Sequence, residues 1–278
     1  MDRIMRRLIS FPCDGATLIG TLDEAAGATG LLIVSGGNEP RMGAHRGQAM
    51  MAARIAAHGY PVFRFDRRGV GDSAGGNGGW ESSGPDIAAA VDAFADAANL
   101  TRIIGFGNCD AAAALAMFGA EAGFAKVLLS NPWLSDEPDA LPPAAAIRRH
   151  YARKLVNPAE WLRLARGAVD LGKLRQGLTK IAAAPSALDE TAAPLIRAIH
   201  RWAGDAAIIV AQGDATGVAF RAAARGHGFA IETLATDSHS YADAMDALER
   251  VVLTHLARAG SDGATPVRDS EAEPQNTD

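Results

Sequence analysis

Thr101-Arg102-Ile103-Ile104-Gly105-Phe106-Gly107-Asn108-Cys109-Asp110-Ala111-Ala112 is the stretch on which the reading of this chain turns. A short β-branched run enters it, and an Ala/Leu/Met segment suited to a helix leaves it. Between them a cysteine is bracketed by small residues, in the spacing of a nucleophile elbow with Cys in place of Ser and Ala111 in place of the last Gly. A strand-to-helix bend that tight requires small neighbours. It also puts the side chain at a helix N-terminus, where backbone N–H groups and the helix dipole favour a thiolate. Two other readings compete at this point. A lone Cys among Gly and Ala is commonly a small buried hydrophobe. Gly105-x-Gly107 also begins like a dinucleotide-binding turn, although Asp110 would repel a pyrophosphate from the place of that motif's third Gly.

The flanking sequence alternates strand and helix. Leu8–Phe11 and Thr17–Leu22, around Cys13-Asp14-Gly15-Ala16, form an antiparallel hairpin. Gly30–Val34 is apolar throughout, as a strand covered on both faces must be. A helix follows over Arg46–His58 and closes at Gly59. Pro61–Phe65 is a strand that runs into the Gly-rich loop Asp66–Gly75. Pro85–Ala98 is a helix with proline in its first turn. Lys126–Ser130, Ala206–Ala211 and Phe229–Leu234 complete the strands, and Tyr241–Ala257 is the last helix. The alternation predicts an α/β fold with a mostly parallel central sheet and helices on both faces. The core comprises 1–132 and 203–258. Residues 133–202 carry no strand run and read as an inserted helical cap, and 259–278 as a disordered polar tail.

The 278 residues are 48% hydrophobic and carry a net charge of -5. That is enough apolar material for one large domain with an insertion. The charge is mixed and mildly acidic, which excludes a general nucleic-acid binder. No apolar run is long enough to span a bilayer. The basic start, Met1–Arg7, is not followed by the apolar stretch of a secretory signal. The two cysteines, Cys13 and Cys109, sit in unlike contexts, so a reduced, cytoplasmic protein is expected. No motif calls for a metal or a cofactor. The stretch assigned to the cap is locally basic, from Arg148 and Arg149 through Arg163 and Arg166 to Arg197 and Arg201. Either these are solvated helix faces, or they favour an anionic small-molecule acyl substrate.

An elbow needs a base and an acid from loops after later strands. Of the seven histidines, only His239 follows a late strand and precedes the last helix. Asp214, in Gln212-Gly213-Asp214 after the 206–211 strand, is the acid. Asp237 is two residues from His239, too short a span to fold back easily onto the ring, and is expected to shape the loop. The backbone N–H groups of Asp110 and of Gly37 or Asn38, in the loop after the 30–34 strand, would bind an oxyanion. His45, near the mouth of the sheet, and Trp133 are candidate substrate contacts.

Asp66-Arg67-Arg68-Gly69-Val70-Gly71-Asp72-Ser73 looks like the D-x-R-G-x-G-x-S signature of α/β-hydrolases. Over about residues 8–258 the chain resembles a narrower group, the type 1 exosortase A system-associated hydrolases. The blocks Val34–Arg46, Phe65–Ser73, Gly107–Ala111, Asn131-Pro132-Trp133, His150–Trp161 and Asp237-Ser238-His239 carry that resemblance. It implies the α/β-hydrolase fold and a place in bacterial exopolysaccharide synthesis and protein sorting. The family's acid loop is one residue longer before the acid. Asp214 or Thr216 therefore holds that position, depending on where the gap falls. Three functions follow: a hydrolase of an ester, thioester or lactone through Cys109, His239 and Asp214; an acyltransferase on the same three residues; or a catalytically silent binding protein.

Overall fold

A computed structural model of the chain describes residues 5–134 and 192–261. Eight strands form one sheet: β1 (Arg6–Cys13), β2 (Ala16–Asp23), β3 (Thr29–Val34), β4 (Val62–Phe65), β5 (Arg102–Asn108), β6 (Lys126–Ser130), β7 (Ala206–Ala211) and β8 (Ile231–Leu234). Their order is β1-β2-β4-β3-β5-β6-β7-β8. The hairpin β1–β2 is antiparallel and β2 pairs antiparallel with β4, while every pairing from β4 to β8 is parallel.

Strand periodicity sorts the core into two layers. Leu32 and Val34 face one side, where α2 (Gly84–Ala98), α3 (Asp110–Ala122), a helix over 192–201 (α4) and α5 (Ala215–Ala223) supply Ile87, Phe94, Leu115, Ile196 and Phe220. Leu31 and Ile33 face the other, against Met51 and Ile55 of α1 (Gly47–Ala57) and Val252 and Leu256 of α6 (Met245–Ser261). β3 and β4 are wholly buried between the two layers, so β3 is apolar from Gly30 to Val34, and the one charge in β4, Arg64, is paired with buried Asp23.

Among the boundaries that differ from the sequence reading, three bear on the core and the site. Of the expected cap, 135–191 lies outside the described residues, but α4 and Trp202 pack into the core. Leu195, Ile196 and Ile199 recur at helical spacing on the buried side, and Trp202 Nε1 donates to Ala116 O at 3.1 Å. The last helix starts at Met245 rather than Tyr241, because Tyr241 has φ 55 and anchors a turn instead. Ala259 and Gly260 extend that helix rather than opening a tail; the tail beyond 261 lies outside the described residues.

Candidate active site

β5 ends at the centre of the sheet, and Cys109 sits on the bend into α3 with φ 62 and ψ -125. A non-glycine residue there is strained, by roughly 1–3 kcal/mol. Backbone hydrogen bonds hold it in place. Its N–H donates to Ser130 O at 3.0 Å, and its carbonyl accepts from Ala112, Ala113 and Trp133 at 3.1, 3.4 and 3.2 Å. The bend explains the small residue at 107, where a Cβ would come within 2.7 Å of the Ala111 carbonyl group.

The loop between β8 and α6 carries His239 to the same place. Its Nδ1 lies 3.0 Å from Asp214 Oδ1, and the ring lines the same cavity as Cys109, whose side chain helps to raise its pKa. Because Asp214 occupies Nδ1, Nε2 is the nitrogen left for the thiol. Asp214 caps α5, its Oδ2 accepting from Gly217 N at 2.9 Å. The fold therefore brings Asp214 to the ring, and Thr216 lies in the first turn of α5. Asp237 packs against Gly213, where a side chain would overlap it. It shapes the loop and does not replace Asp214 on the ring.

The electrostatics favour an imidazolium. The Asp214 hydrogen bond and then Cys109 raise the His239 pKa to about 10, against the opposing effect of burial. Burial pushes Asp214 up, but the bonds from His239 and Gly217 outweigh it and hold the carboxyl below its ordinary value.

Behind this trio lies a buried polar network that the sequence did not reveal. Ser130 Oγ donates to Asn108 Oδ1 at 2.8 Å and meets Tyr241 Oη at 2.9 Å. Asn131 Nδ2 donates to Asn108 Oδ1 at 3.0 Å, and Ala211 N donates to Asn131 Oδ1 at 2.8 Å. Asn108 Nδ2 then reaches the His239 carbonyl at 3.2 Å. The ends of β5, β6 and β7 are thereby tied to the histidine loop. Burial pushes the Tyr241 hydroxyl up to about 12.

Cys109 and His239 open into a cavity of about 900 Å³. Trp133, one of the two candidate substrate contacts, lines it. His45 does not: it faces a neighbouring cavity with Met50 and Arg54, because Ala44–Arg46 forms a 3-10 turn whose His45 has φ 51. Gly37 is corrected as well. Its N–H is engaged by the Asp110 carboxylate, at 2.8 Å from Oδ1 and 2.7 Å from Oδ2, and so is not free for an oxyanion. The carboxylate lies in the first turn of α3, where an acceptor for stray amides is favoured. Asp110 and Asn38 line the cavity.

Sequence reasoning missed Trp80, Glu39 and Gln48 in the wall. Glu39 accepts from Ala44 N and Gln48 Nε2, at 2.5 and 3.1 Å, and burial raises its pKa. Among the described lining residues, Glu39 and Asp110 bring negative charge, and none is Lys or Arg. The basic stretch 148–180 lies outside the described residues. Among the described residues no cluster of His, Cys, Asp and Glu could hold a metal, and no helix is long and apolar enough to cross a membrane.

Solved structures of this architecture include an esterase from Pyrococcus furiosus, with a TM-score of 0.60, 15% identity, and coverage of 92% of this chain and 91% of that one. An α/β-hydrolase from Penicillium sp. sh18 matches with a TM-score of 0.60, 19% identity, and 92% and 99% coverage. The thioesterase domain of a curacin biosynthetic pathway matches with a TM-score of 0.55, 15% identity, and 91% and 100% coverage. At these identities the likeness establishes the fold. No curated protein matches the chain significantly. The family model for serine aminopeptidase, S33, matches residues 31–206, which takes in the loop after β3, the Gly-rich loop and the elbow, but neither Asp214 nor His239. By that match, and by an eight-stranded sheet with a strained bend at the end of β5, the chain belongs to the serine aminopeptidase S33 family of α/β-hydrolases, with a cysteine at its elbow.

Proposed function

We propose that this hydrolase cleaves an ester, thioester or lactone through Cys109 as nucleophile, His239 as acid and base, and Asp214 as the group that orients the ring. One observation carries the reading: His239, held by Asp214 at Nδ1, lines the same cavity as the elbow thiol of Cys109, which acts on the ring electrostatically. Sγ bonds to the acyl carbon as a thiolate. The C–O or C–S bond to the leaving group breaks, and the leaving group takes the imidazolium proton. Water then gives a proton to the neutral imidazole as its oxygen bonds the acyl carbon, and Sγ departs as thiolate, restoring the ion pair. Asp110 N–H, at the start of α3, faces the developing oxyanion together with the loop after β3.

A cavity of about 900 Å³ is at the large end of small-molecule sites, with room for an acceptor beside the acyl group. Transfer to an alcohol is therefore the second reading. The motif blocks shared with type 1 exosortase A system-associated hydrolases support a cytoplasmic place in exopolysaccharide synthesis, with a sugar hydroxyl as acceptor.

The test uses p-nitrophenyl acetate, a simple alkyl thioester and iodoacetamide. Turnover and labelling at Cys109 are expected in the wild type. Cys109→Ala should lose both, and His239→Ala should slow both. New ester formed when glucose is added would identify a transferase. Absence of turnover on either acyl donor, with Cys109 alkylating no faster than free cysteine, would refute the reading.

A further inference from the structure

The peptide joining Gly37 to Asn38 is held from behind. The Gly37 carbonyl accepts a hydrogen bond from the guanidinium of Arg67, while the Gly37 N–H faces Asp110. Arg67 is only 4% exposed. It also donates to Ser83 Oγ at 2.7 Å and lies 3.8 Å from the Asp110 carboxylate. Gly37 has φ 54, a backbone open to glycine. At Gly36 a Cβ would come 2.4 Å from Asp110 Oδ1 and 2.9 Å from Asn108 O, so the loop lies directly on the elbow.

Peptide planarity then fixes a direction. The described chain has no cis peptide. A trans peptide points its C=O and its N–H opposite ways, so Asn38 N–H points away from the carbonyl that Arg67 holds. Arg67 is on the buried side, and Asn38 lines the cavity with Cys109. The Asn38 side chain is tied to Asn77 Nδ2 at 2.6 Å, and its backbone N–H donates to no described residue.

We infer that Asp110 and Arg67 are positioning residues that clamp Gly37 between them, Asp110 at its N–H and Arg67 at its carbonyl, and so aim the Asn38 N–H at the oxyanion beside Asp110 N–H. The inference rests on the acyl-transfer reading above. It explains why a buried arginine stands here: a carboxylate this close to an oxyanion would oppose it, and Arg67 offsets that charge. Asp110 thus has two parts with separate tasks. Its backbone faces the substrate, and its side chain holds the loop.

The test compares Asp110→Ala with Asp110→Asn, which keeps an acceptor for Gly37 N–H. Ester turnover, alkylation of Cys109 by iodoacetamide and hydrogen exchange of the 35–42 loop are measured on each. Alkylation is a displacement at saturated carbon and needs no oxyanion donor. Asp110→Ala should lower kcat on p-nitrophenyl acetate by about ten- to a hundredfold with KM within about threefold, and should leave alkylation within about threefold of wild type. Its loop amides should exchange about tenfold faster. Asp110→Asn should recover turnover to within about fivefold of wild type and restore slow exchange. Unchanged turnover in Asp110→Ala, or alkylation falling in step with turnover, would overturn the clamp. If the wild type turns over no ester, the acyl-transfer reading fails, and exchange alone decides: an Asp110→Ala loop exchanging at the wild-type rate refutes the clamp.

Discussion

Asp214→Asn separates two tasks that one carboxylate performs. Asp214 Oδ2 caps α5 through Gly217 N at 2.9 Å, and Oδ1 holds His239 Nδ1 at 3.0 Å. Asparagine is as good an N-cap as aspartate, so its carbonyl oxygen keeps the cap. Its Nδ2 then faces the ring and donates to Nδ1. That forces the tautomer with the proton on Nε2, which cannot accept a proton from the thiol. The charge that contributes most to raising the His239 pKa from 6.5 to about 10 is lost with it. One pKa unit is worth about a factor of ten. The His239 side chain is 44% exposed, so solvent screens part of the effect. Charge loss alone should therefore cost about ten- to a hundredfold in kcat/KM, and the wrong tautomer more. Both Asp214→Asn and Asp214→Ala lose the stability that the His239–Asp214 pair contributes at neutral pH, so the two variants should differ in stability by the cap alone. Asp214→Ala removes the cap too, costing about 1 kcal/mol, or about 2–4 °C in a chain of this size. Steady-state ester hydrolysis and thermal unfolding of both variants make the assay. An Asp214→Asn enzyme within threefold of wild type, or one as thermolabile as Asp214→Ala, would refute the division of labour.

Four further outcomes are expected. Arg41→Met should destabilise the protein by about 3 kcal/mol in urea, because the fully buried Asp66 loses its cation. Tyr241→Phe should cost about 1–2 kcal/mol by the same measurement, since it leaves Ser130 Oγ and its buried network short of a partner. Glu39→Gln should improve kcat/KM for acyl donors carrying a carboxylate relative to neutral ones, read as a ratio, because it removes one of the carboxylates in the wall. The His239–Asp214 pair sets a pH window for stability. The raised His239 pKa means that its contribution is complete below 6.5 and is lost as pH rises through about 10. The depressed Asp214 pKa means that its share is lost as pH falls through that lowered value. Melting temperatures of wild type minus those of His239→Gln across pH should show both edges, and a flat difference would contradict them.

Local sequence was sufficient where neighbours in the chain determine the outcome. The unbroken apolar runs of β3 and β7, the small residues about Cys109 and the placing of His239 before the last helix all follow from steric and solvation rules acting over a few positions. They specified the mostly parallel sheet, the elbow, and the loops that carry Asp214 and His239. Side chains that meet across loops are set by packing, which no short window contains. Only the folded chain shows that Asp110 turns its carboxylate onto Gly37 N–H, leaving Asn38 for the cavity. It turns His45 into a separate cavity through a left-handed turn, and it places Glu39 and Trp80 in the wall. It also packs the apolar stripe of 192–202 into the core, a segment that the lack of strand runs had assigned to an inserted helical cap. Periodicity tells a helix which face is apolar; what that face lands on depends on contacts between residues far apart in the chain, and those exist only once the sheet has formed.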